Sequence, residues 1–373
     1  MNTPIPSPPL TIRAIRSVAV DVPMRYPLGT SAATLRSAPL LLIDLETEEG
    51  ITGRAYLFCY VSAAAQAMAA MLEEVARTVK GDPVAPVDLW DKLSRRFRLI
   101  GVQGIVRMAM SGLDVACWDA LAVAAGKPLV SMLGGDIGNN KARPIPAYNS
   151  SGLGLMAPEA AADEAEKLLE GGFRAVKLRL GYATLEADLA AVRAVRKRLP
   201  DEIALMTDYN QALSVAEAIR RGRALDDEGV YWIEEPIRHD DYLGCARLSR
   251  ELKTPVQIGE NFSQPQAMAQ SLAANASDFV MPDLERIGGV TGWMRATAMA
   301  AAGGIEMSSH LFPETSAHLL AVTPTRHWLE YVDWANPILA EPLRIESGNA
   351  IIGNAPGSGI RWNDDAVKRY RMT

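Results

Sequence analysis

Hydrophobic and polar positions follow two different patterns along this chain. In residues 11 to about 60, apolar and polar positions alternate in IRAIRSVAVDV and in LLLIDLETEEGITGRAYLFCY, where a Glu-Glu-Gly turn separates two strand-like runs. From residue 61 to about 134, apolar residues recur three and four positions apart, as in SAAAQAMAAMLEEVARTV and GIVRMAMSGLDVACWDALAVAAG. Strands followed by helices predict an α+β domain.

After this segment, short apolar runs alternate with helical segments that are rich in Ala, Leu and Arg. Continuous apolar strands separated by helices are typical of a parallel sheet buried on both faces, and about eight such units form a β/α barrel. The runs are PIPAYNS, AVKLRLG, ALMTDYN, YWIEEP, PVQIGEN, DFVMPDL, IEMSSHLF and HWLEYV. The second part of the chain is therefore predicted to be an α/β barrel.

Polar side chains that can take part in chemistry stand at the ends of these runs. They are Ser150, Lys177 with Arg179, Asp208, Glu234, Glu260, Asp283, His310 and Glu330. From Asp208 to Glu330 their spacings are 26, 26, 23, 27 and 20 residues, about one strand-loop-helix-loop unit each. In a barrel of parallel strands these positions converge on the C-terminal face, where active sites of this fold lie. A helix cap or a turn would explain any one of them, but a series with one period indicates a shared site.

Composition and charge exclude several function classes. The 373 residues are 49% hydrophobic and 22% charged, as expected for a globular protein, and the net charge of −6 provides no basic surface for nucleic acid or an anionic membrane. The three cysteines, Cys59, Cys117 and Cys245, lack metal-ligand spacing, and the N-terminus has no apolar signal-peptide region. We expect a cytoplasmic protein with no nucleic-acid or membrane partner.

Three of the strand-end residues, Asp208, Glu234 and Glu260, offer only hard oxygen ligands. Three carboxylates brought together raise one another's pKa unless a cation offsets them, and oxygen ligands favour Mg²⁺ over zinc. We therefore predict a Mg²⁺ site, with Asn210 facing the same way as Asp208. Paired acids for glycoside hydrolysis are the alternative, but that chemistry needs two carboxylates and leaves the lysine and the histidine without a role.

Asp283 and His310 end successive runs, so a carboxylate and an imidazole can meet between adjacent strands. An aspartate that accepts the imidazole N–H orients the ring and raises its basicity, which makes His310 a candidate general base. For His239, His318 and His327, a surface or packing role is the simpler interpretation.

The run AVKLRLG places two cations, Lys177 and Arg179, on one face of a strand, because residues two apart in a strand point the same way. The solvated face of an edge strand would explain such a pair. A position among the other strand-end residues would instead bring both cations into the predicted site.

Several segments together resemble the mandelate racemase family of the enolase superfamily. They are AVKLRLGY, TDYNQALSV, WIEEP, GENF, MPDLERIGGVTGWMRA, SSHLFPETSAHLLAVTPTRHWLE and, near the start, YPLGTSAATLRSAPLLLIDLETEEGITGRAYLFCY. The resemblance extends from about residue 12 to 365 and implies a modified (β/α)₇β TIM-type barrel with an α+β capping domain. The domains that it implies are the cap at 1–140, the barrel at 141–340 and a C-terminal segment, 341–373, that returns to the cap. Because relatives of this kind commonly assemble, a homo-oligomer is expected.

The same resemblance implies the roles of the site residues. The Mg²⁺ ligands would be Asp208, Glu234 and Glu260. The general base dyad would be His310 with Asp283. The groups around the carboxylate of a small-molecule substrate would be Lys177 as a cation, Glu330 as an acid, and Ser150 and Asn210 as polar contacts. The α-proton of a carboxylate is very weakly acidic, and such groups stabilise the enediolate that forms when it is removed.

Arg179 departs from the family pattern, because racemases of the family carry a second lysine there that acts as a base opposite the histidine. Arginine, with a pKa above about 12, would cost on the order of 7 to 9 kcal/mol to deprotonate at neutral pH. This departure argues against symmetrical two-base racemisation and leaves His310 as the base. A one-base site suits dehydration of a sugar acid, in which His310 would also assist departure of the β-hydroxyl.

Apolar residues of the matching cap segments suit a different substrate. They are Leu28, Leu35, Phe58 and Tyr60, with Leu311 on the barrel side. Burial of an aryl group favours binding by about 25 cal/mol per Å², whereas a polyol finds few partners there, although packing between the domains would explain the same leucines. We predict Mg²⁺-dependent enolisation of a 2-hydroxy acid of mandelate type. Dehydration of an acid sugar is the alternative, and a non-catalytic ligand-binding barrel is a third hypothesis.

Overall fold

The structure, a computed structural model, describes residues 9–136 and 144–372. Its N-terminal part is a three-stranded antiparallel sheet packed against helices. The strands are β1 (Ile12–Gly29), β2 (Thr34–Thr47) and β3 (Thr52–Phe58), and the helices are α1 (Ser62–Val79), α2 (Pro86–Arg96), α3 (Gly104–Ala124) and α4 (Leu129–Met132). The predicted α+β cap is therefore confirmed, while its predicted boundary at residue 140 lies outside the described residues.

Helix α3 packs closely on strand β3. A side chain at Gly53 would place its Cβ 2.0 Å from the carbonyl oxygen of Ala116, so this approach of helix and strand requires glycine. Most of α3 is buried because it lies between the cap sheet on one side and barrel helices on the other. The cap is thereby fixed against the barrel through one long apolar helix.

The predicted barrel is confirmed, with a strand at each of the eight apolar runs. The strands are β4 (Ile145–Asn149), β5 (Ala175–Arg179), β6 (Ala204–Asp208), β7 (Val230–Glu234), β8 (Val256–Ile258), β9 (Phe279–Val280), β10 (Glu306–Met307) and β11 (Leu329–Tyr331). They pair in parallel from β4 to β10, and β11 pairs with β4. Backbone bonds from Met307 to Thr325 and from Ser309 to Trp328 close the barrel between β10 and β11.

Helices follow the barrel strands as the alternating pattern predicts. They are α5 (Pro158–Lys167), α6 (Leu185–Arg198), α7 (Val215–Leu225), α8 (Tyr242–Glu251), α9 (Pro265–Ala273), α10 (Leu284–Ile287), α11 (Gly289–Gly303) and α12 (Pro313–Ala321). Inside the barrel, Tyr148, Met206 and Trp232 are fully buried and form a small apolar cluster of their own. This apolar cluster packs the barrel interior, and the polar residues lie beyond it at the C-terminal ends of the strands.

The C-terminal segment touches both parts of the molecule. Strands β12 (Arg344–Glu346) and β13 (Asn349–Ile351) form a hairpin that pairs with β4 of the barrel. Farther along, the Trp362 indole donates to Asp44 at 2.8 Å, helix α13 (Asp364–Tyr370) packs on β1, and the Met372 amide donates to Ala19 of that strand. The domain limits at 140 and 340 stay predictions.

Two further observations bear on the sequence-based expectations. All three cysteines are buried and unpaired. Among the residues that the structure describes, no helix is long and apolar enough to cross a membrane.

Candidate active site

Three carboxylates meet at the C-terminal end of the barrel. Asp208 ends β6 and pairs in register with Glu234, which ends β7, while Glu260 follows β8 after Gly259. One carboxylate oxygen from each lies within 4.8 Å of the others. Gly259 has φ 133, and an added Cβ would lie 3.0 Å from the Met281 amide nitrogen, so the turn that presents Glu260 needs glycine. The structure thus brings the three predicted metal ligands together.

This triad fits Mg²⁺ by the chemistry of its donors. All three groups offer hard oxygen atoms, and two of them are buried. Burial and the nearby carboxylates of Asp208 and Glu260 raise the pKa of Glu234 to about 8, although Lys177 opposes the shift. A divalent cation offsets such a concentration of negative charge and so favours the ionised form of Glu234.

Lys177 lies beside the triad, on a strand that is buried along its whole length. Its ammonium is 2.5 Å from Glu234 Oε1, 2.8 Å from Glu330 Oε1 and 3.5 Å from Asp208 Oδ2. Burial would lower the pKa of Lys177, but these carboxylates outweigh it and raise the pKa above its usual range. Lys177 is therefore a fixed cation next to the predicted metal ligands, and the interpretation of β5 as a solvated edge strand is wrong.

Arg179 is also buried, but its guanidinium is engaged elsewhere. Nη1 donates to the carbonyl oxygens of Gly152 at 2.7 Å and Ser150 at 3.1 Å, and Nη2 donates to Ser150 Oγ at 2.8 Å. The side chain thus holds the loop that follows β4. Ser150, predicted as a polar contact to substrate, is fully buried and is an acceptor for Arg179.

His310 and Asp283 form the predicted pair. Asp283 follows β9, His310 follows β10, and the two residues form an isolated parallel β-bridge. His310 Nδ1 lies 2.6 Å from Asp283 Oδ2. The other oxygen of Asp283 accepts two backbone N–H bonds, from Glu285 at 2.8 Å and Arg286 at 3.0 Å, so the carboxylate cannot rotate away. These contacts orient the imidazole through Nδ1, so Nε2 makes no hydrogen bond to Asp283.

The Nε2 edge of His310 faces the carboxylates. It is 3.4 Å from Glu260 Oε2 and 3.8 Å from Glu330 Oε2. Burial would lower the pKa of His310, but Glu260, Glu330 and Asp283 together raise it to about 9. A cation held by Glu260 removes part of that negative charge, which brings the histidine closer to the neutral form that a base requires.

Glu330, at the middle of β11, links the lysine to the histidine loop. Oε1 is paired with Lys177, and Oε2 accepts the Leu311 backbone N–H at 2.9 Å. Although burial would raise the pKa of Glu330, Lys177 and His310 hold it well below its usual range. Glu330 is therefore ionised in this arrangement, and its assignment as an acid stays a prediction that requires a proton to be gained when substrate binds.

Asn210 carries a buried acceptor with no partner. Its backbone and side-chain N–H groups donate to Asp208 at 2.8 and 2.9 Å, and these bonds orient that predicted metal ligand. Its Oδ1 is buried and makes no hydrogen bond within the described part of the chain. A buried amide oxygen without a donor is unfavourable, so this atom is suited to accept from a bound hydroxyl.

Left-handed backbone conformations are concentrated around this site. Seven of the nine non-glycine residues with positive φ in the described ranges follow β3, belong to barrel loops at the C-terminal face or lie beside His310: Tyr60, Leu153, Asn210, Gln211, Glu235, Leu311 and Phe312. Such conformations cost roughly 1–3 kcal/mol each and persist where surrounding contacts impose them. The backbone at the barrel mouth is therefore strained and is held in this conformation by surrounding contacts, which is typical of a functional site.

The end of strand β3 docks on the barrel mouth. The Tyr56 hydroxyl donates to Glu314 at 2.6 Å, and the Phe58 amide donates to Glu285 at 3.0 Å. The Tyr60 hydroxyl is hydrogen-bonded to Arg286, which also bonds Asn261 beside Glu260. Sequence reasoning missed Glu285, Arg286 and Glu314, although their position just after barrel strands was a signal that could have included them.

The predicted apolar residues occupy two places at this interface. Leu28 pairs with Leu35 near the β1–β2 turn, where Gly29 accepts a 2.8 Å bond from Leu155 of the barrel. Phe58 packs against Tyr60 and Trp334, with ring centroids 4.3 and 5.0 Å apart.

Two more apolar residues lie at this interface between cap and barrel. Leu311 is buried directly after His310. Trp334, which sequence reasoning missed, has a buried indole N–H that finds no acceptor among the described residues.

Two of the remaining histidines have the packing role expected of them. His318 is buried and accepts the Val130 amide at 3.2 Å, and His327 packs on Phe279 with ring centroids 4.6 Å apart. His239 is half-buried in the loop after β7, away from the dyad's hydrogen bonds.

Two family models match the chain. Residues 160–366 match the model described as enolase C-terminal domain-like, and residues 12–134 match the mandelate racemase/muconate lactonizing enzyme N-terminal domain. The first covers the barrel after strand β4 together with its C-terminal extension, and the second covers the cap.

Individual relatives cover almost the whole chain. The L-talarate/galactarate dehydratase of Salmonella typhimurium is 31% identical over 344 residues, which is 91% of this chain and 84% of the relative. A crystal structure of an enolase from alpha proteobacterium BAL199 with bound magnesium has a TM-score of 0.93 at 44% identity, covering 97% of this chain and all of that one. An enolase from Bradyrhizobium complexed with magnesium and mandelic acid has a TM-score of 0.92 at 43% identity, with full coverage of both chains.

Proposed function

The chain belongs to the mandelate racemase/muconate lactonizing enzyme family of the enolase superfamily, whose members are Mg²⁺-dependent enzymes, and we propose that it removes the α-proton of a 2-hydroxy carboxylate with His310 as its single base. The observation that carries this proposal is the dyad. Asp283 Oδ2 lies 2.6 Å from His310 Nδ1 and orients the ring, and His310 Nε2 lies 3.4 Å from the proposed metal ligand Glu260. A base in this place faces a substrate held at the metal.

The residues divide the work of enolisation between them. His310 Nε2 accepts the α-proton, and Asp283 stabilises the imidazolium that results. On a substrate without a β-hydroxyl, this imidazolium returns a proton, exchanged with solvent, to the same face of the enediolate. Lys177 presents a fixed positive charge to the carboxylate whose second negative charge develops as the proton leaves. Mg²⁺, when bound by Asp208, Glu234 and Glu260, supplies the Lewis acidity that makes this proton removable.

The opposite face of the substrate is proposed to lack a base. The guanidinium of Arg179 donates to Ser150 and Gly152, so its charge is used to hold a loop. Arginine also stays protonated in proteins. We therefore assign Arg179 a positioning role instead of the role of a second base, and expect proton exchange for one configuration of substrate only.

For the substrate itself, we favour a 2-hydroxy acid with an aryl or other apolar group. The rings of Phe58, Tyr60 and Trp334 form a cluster where the cap meets the barrel mouth, and Leu311 is next to His310. Phe58, Trp334 and Leu311 are already buried, so half-buried Tyr60 is the member of this set that offers apolar area to an aryl group, at about 25 cal/mol per Å² covered. The mandelic acid complex of the 43% identical Bradyrhizobium protein supports the same choice.

Dehydration of an acid sugar is the second candidate, and the single base favours it. After His310 has taken the α-proton, the same imidazolium can return that proton to the β-hydroxyl, which then leaves as water. The enol that remains converts to a 2-keto acid, so one residue completes the reaction. The 31% identical relative from Salmonella, an L-talarate/galactarate dehydratase, supports this candidate.

The test is to incubate the Mg²⁺-loaded protein in D₂O with pure enantiomers of mandelates and with a library of sugar acids. Proton NMR detects α-deuteration, and mass spectrometry detects a loss of water. Exchange of one mandelate enantiomer without a keto acid product supports the aryl substrate, whereas a keto acid from a sugar acid supports dehydration. If none of these acids exchanges or loses water under Mg²⁺ saturation, the proposed substrate class is wrong. Assembly into a homo-oligomer and a cytoplasmic location stay predictions.

A further inference from the structure

A cavity of about 290 Å³ lies between the cap and the barrel, outside the candidate active site. Its walls come from cap helices α2 and α3 and from barrel helices α9 and α11, and include Trp90, Arg107, Gln264, Gln266 and Arg295. None of the metal-triad or dyad residues lines it. The volume exceeds that of a single water molecule several times over, so a small solute fits.

Arg107 is the unusual group in this cavity. Only 6% of its surface is exposed. Nη2 donates to the Val102 carbonyl at 2.6 Å and to Gln264 Oε1 at 2.9 Å, and the guanidinium lies 5.7 Å from the Trp90 ring centre. Nε is buried and has no hydrogen-bond partner, and no described residue accepts from Nη1.

No carboxylate neutralises this guanidinium. Within residues 9–136 and 144–372, Arg107 forms no ion pair, in contrast to Arg221, a similarly buried arginine that pairs with Asp188 and Glu217 at 2.6 Å each. Burial lowers the pKa of Arg107 to about 10, so the group stays charged at neutral pH. A buried cation with unused N–H donors is costly unless an anion joins it.

Two further features make the cavity positive. Arg295, an exposed residue of α11, also lines it and has no ion-pair partner among the described residues. The N-terminus of α9 opens on it, because Gln264 and Pro265 lie in the wall and no side chain caps the first turn. Pro265 has no N–H and the Ala267 N–H donates to the Gln264 carbonyl, so the first turn offers an anion the Gln266 N–H and the helix dipole. The one acidic residue in the lining, Asp91, is exposed like Arg295, so the buried charge in the lining is that of Arg107.

We propose that this cavity is a second ligand site, which binds a small oxyanion, a carboxylate or a phosphate, on the guanidinium of Arg107. The planar guanidinium pairs with two oxygen atoms at once, which is why arginine favours these two anions. An anion here bridges cap and barrel. Gln264, the residue that Arg107 holds, lies four residues after the metal ligand Glu260 in the same loop, so the site contacts the segment that presents that ligand.

The experiment titrates the full-length, Mg²⁺-loaded protein with inorganic phosphate and, separately, with acetate, each against chloride at equal ionic strength. Calorimetry and thermal unfolding report binding, since a ligand of the folded state raises the unfolding temperature by mass action. Arg107→Met removes the guanidinium, and Arg98→Met removes an exposed arginine of the same cap region that does not line the cavity. Binding that occurs at the active site persists in both variants.

We expect phosphate, acetate or both to bind the wild type, and to bind Arg107→Met at least about tenfold more weakly, as loss of a charged hydrogen bond implies. Arg98→Met should bind like the wild type. A response to phosphate alone or to acetate alone identifies the anion class. Equal affinity of Arg107→Met and wild type overturns the proposal, and so does a wild type that distinguishes neither anion from chloride.

A second measurement serves if Arg107→Met does not fold. Crystals of the wild type grown without oxyanions are soaked in selenate, whose anomalous scattering locates it. A peak within hydrogen-bond distance of Arg107 supports the site. Selenate found only at the Mg²⁺ site or on the surface contradicts it.

Discussion

Replacement of Arg179 by lysine tests whether the arginine is the reason that the enzyme exchanges the α-proton of one substrate enantiomer only. The lysine would place an amine next to Lys177 on the same buried face of β5. Burial and the charge of Lys177 both lower the pKa of such an amine, so Arg179→Lys should introduce a base where the wild type has a permanent cation.

The magnitude follows from the two side chains. In water the side-chain pKa is about 10.4 for lysine and about 12.5 to 13.8 for arginine, so the deprotonated fraction at neutral pH should rise by about 10²- to 10³-fold before burial adds to it. The substitution also removes the fork that bonds Ser150 and Gly152 at 2.7 to 3.1 Å. Loss of one charged hydrogen bond should lower the free energy of unfolding by about 1.5–3 kcal/mol.

The assay is proton NMR in D₂O on each pure enantiomer of the 2-hydroxy acid that the wild type deuterates. The wild type should exchange one enantiomer, and Arg179→Lys should in addition exchange the other. Arg221→Lys is the matched control, because Arg221 is also buried and bonds two carboxylates and the Tyr182 carbonyl. It should lose stability without gaining exchange.

Equal exchange of both enantiomers by the wild type would refute the reasoning, because a second base would then already be present. A folded Arg179→Lys protein that retains its first activity but gains no exchange would show that a base at this position cannot reach the substrate.

Three further predictions concern the metal, the cap and the pH dependence of stability. Changing Asp208, Glu234 or Glu260 to the amide should weaken Mg²⁺ binding in calorimetry, and a triple amide that binds Mg²⁺ like wild type would contradict the ligand assignment. Gly154→Ala should raise KM, because its Cβ would lie 2.2 Å from the Gly29 backbone nitrogen and must displace the cap turn; an unchanged KM would show that this turn does not shape the site. Burial raises the pKa of Asp114 to about 7, despite hydrogen bonds from Thr291. Since the folded state therefore holds this proton more tightly than the unfolded chain, stability should fall as pH rises from about 4 to 7, by up to about 1.4 kcal/mol per unit, and chemical unfolding of Asp114→Asn should lack that part of the slope.

The barrel and the acidic strand ends were predictable because they follow from local pattern and from topology. Apolar runs of strand length give the strands, and parallel pairing then places Asp208, Glu234 and Glu260 on one face whatever the loops do. The pairing of Asp283 with His310 follows in the same way, because the two residues come just after adjacent strands.

The contacts between cap and barrel could not be predicted in this way. Tyr60 and Arg286 are 226 positions apart and meet only because the two parts dock. The engagement of Arg179 with Ser150 and Gly152 depends on the path of a loop, and the sequence alone suggested only that the arginine shared a face with Lys177. Trp334 follows the last barrel strand in an irregular segment, where no periodicity indicates which way a side chain points.

The left-handed backbone conformations around the barrel mouth could not be predicted from the sequence either. Leu311 and Phe312 both have φ near 50, a conformation that their side chains disfavour by themselves and that only the surrounding contacts impose. Local preference therefore fails at the positions where the site is built, as expected where function and packing override it.

The central claim, that His310 removes the α-proton of a 2-hydroxy acid, is tested most directly by comparing wild type and His310→Asn in D₂O. Both proteins are first shown to bind Mg²⁺ with similar affinity, so that a difference reports the base and not the metal. The account predicts Mg²⁺-dependent α-deuteration by the wild type and none by His310→Asn for the enantiomer that faces this residue. Undiminished deuteration of that enantiomer by His310→Asn would contradict it.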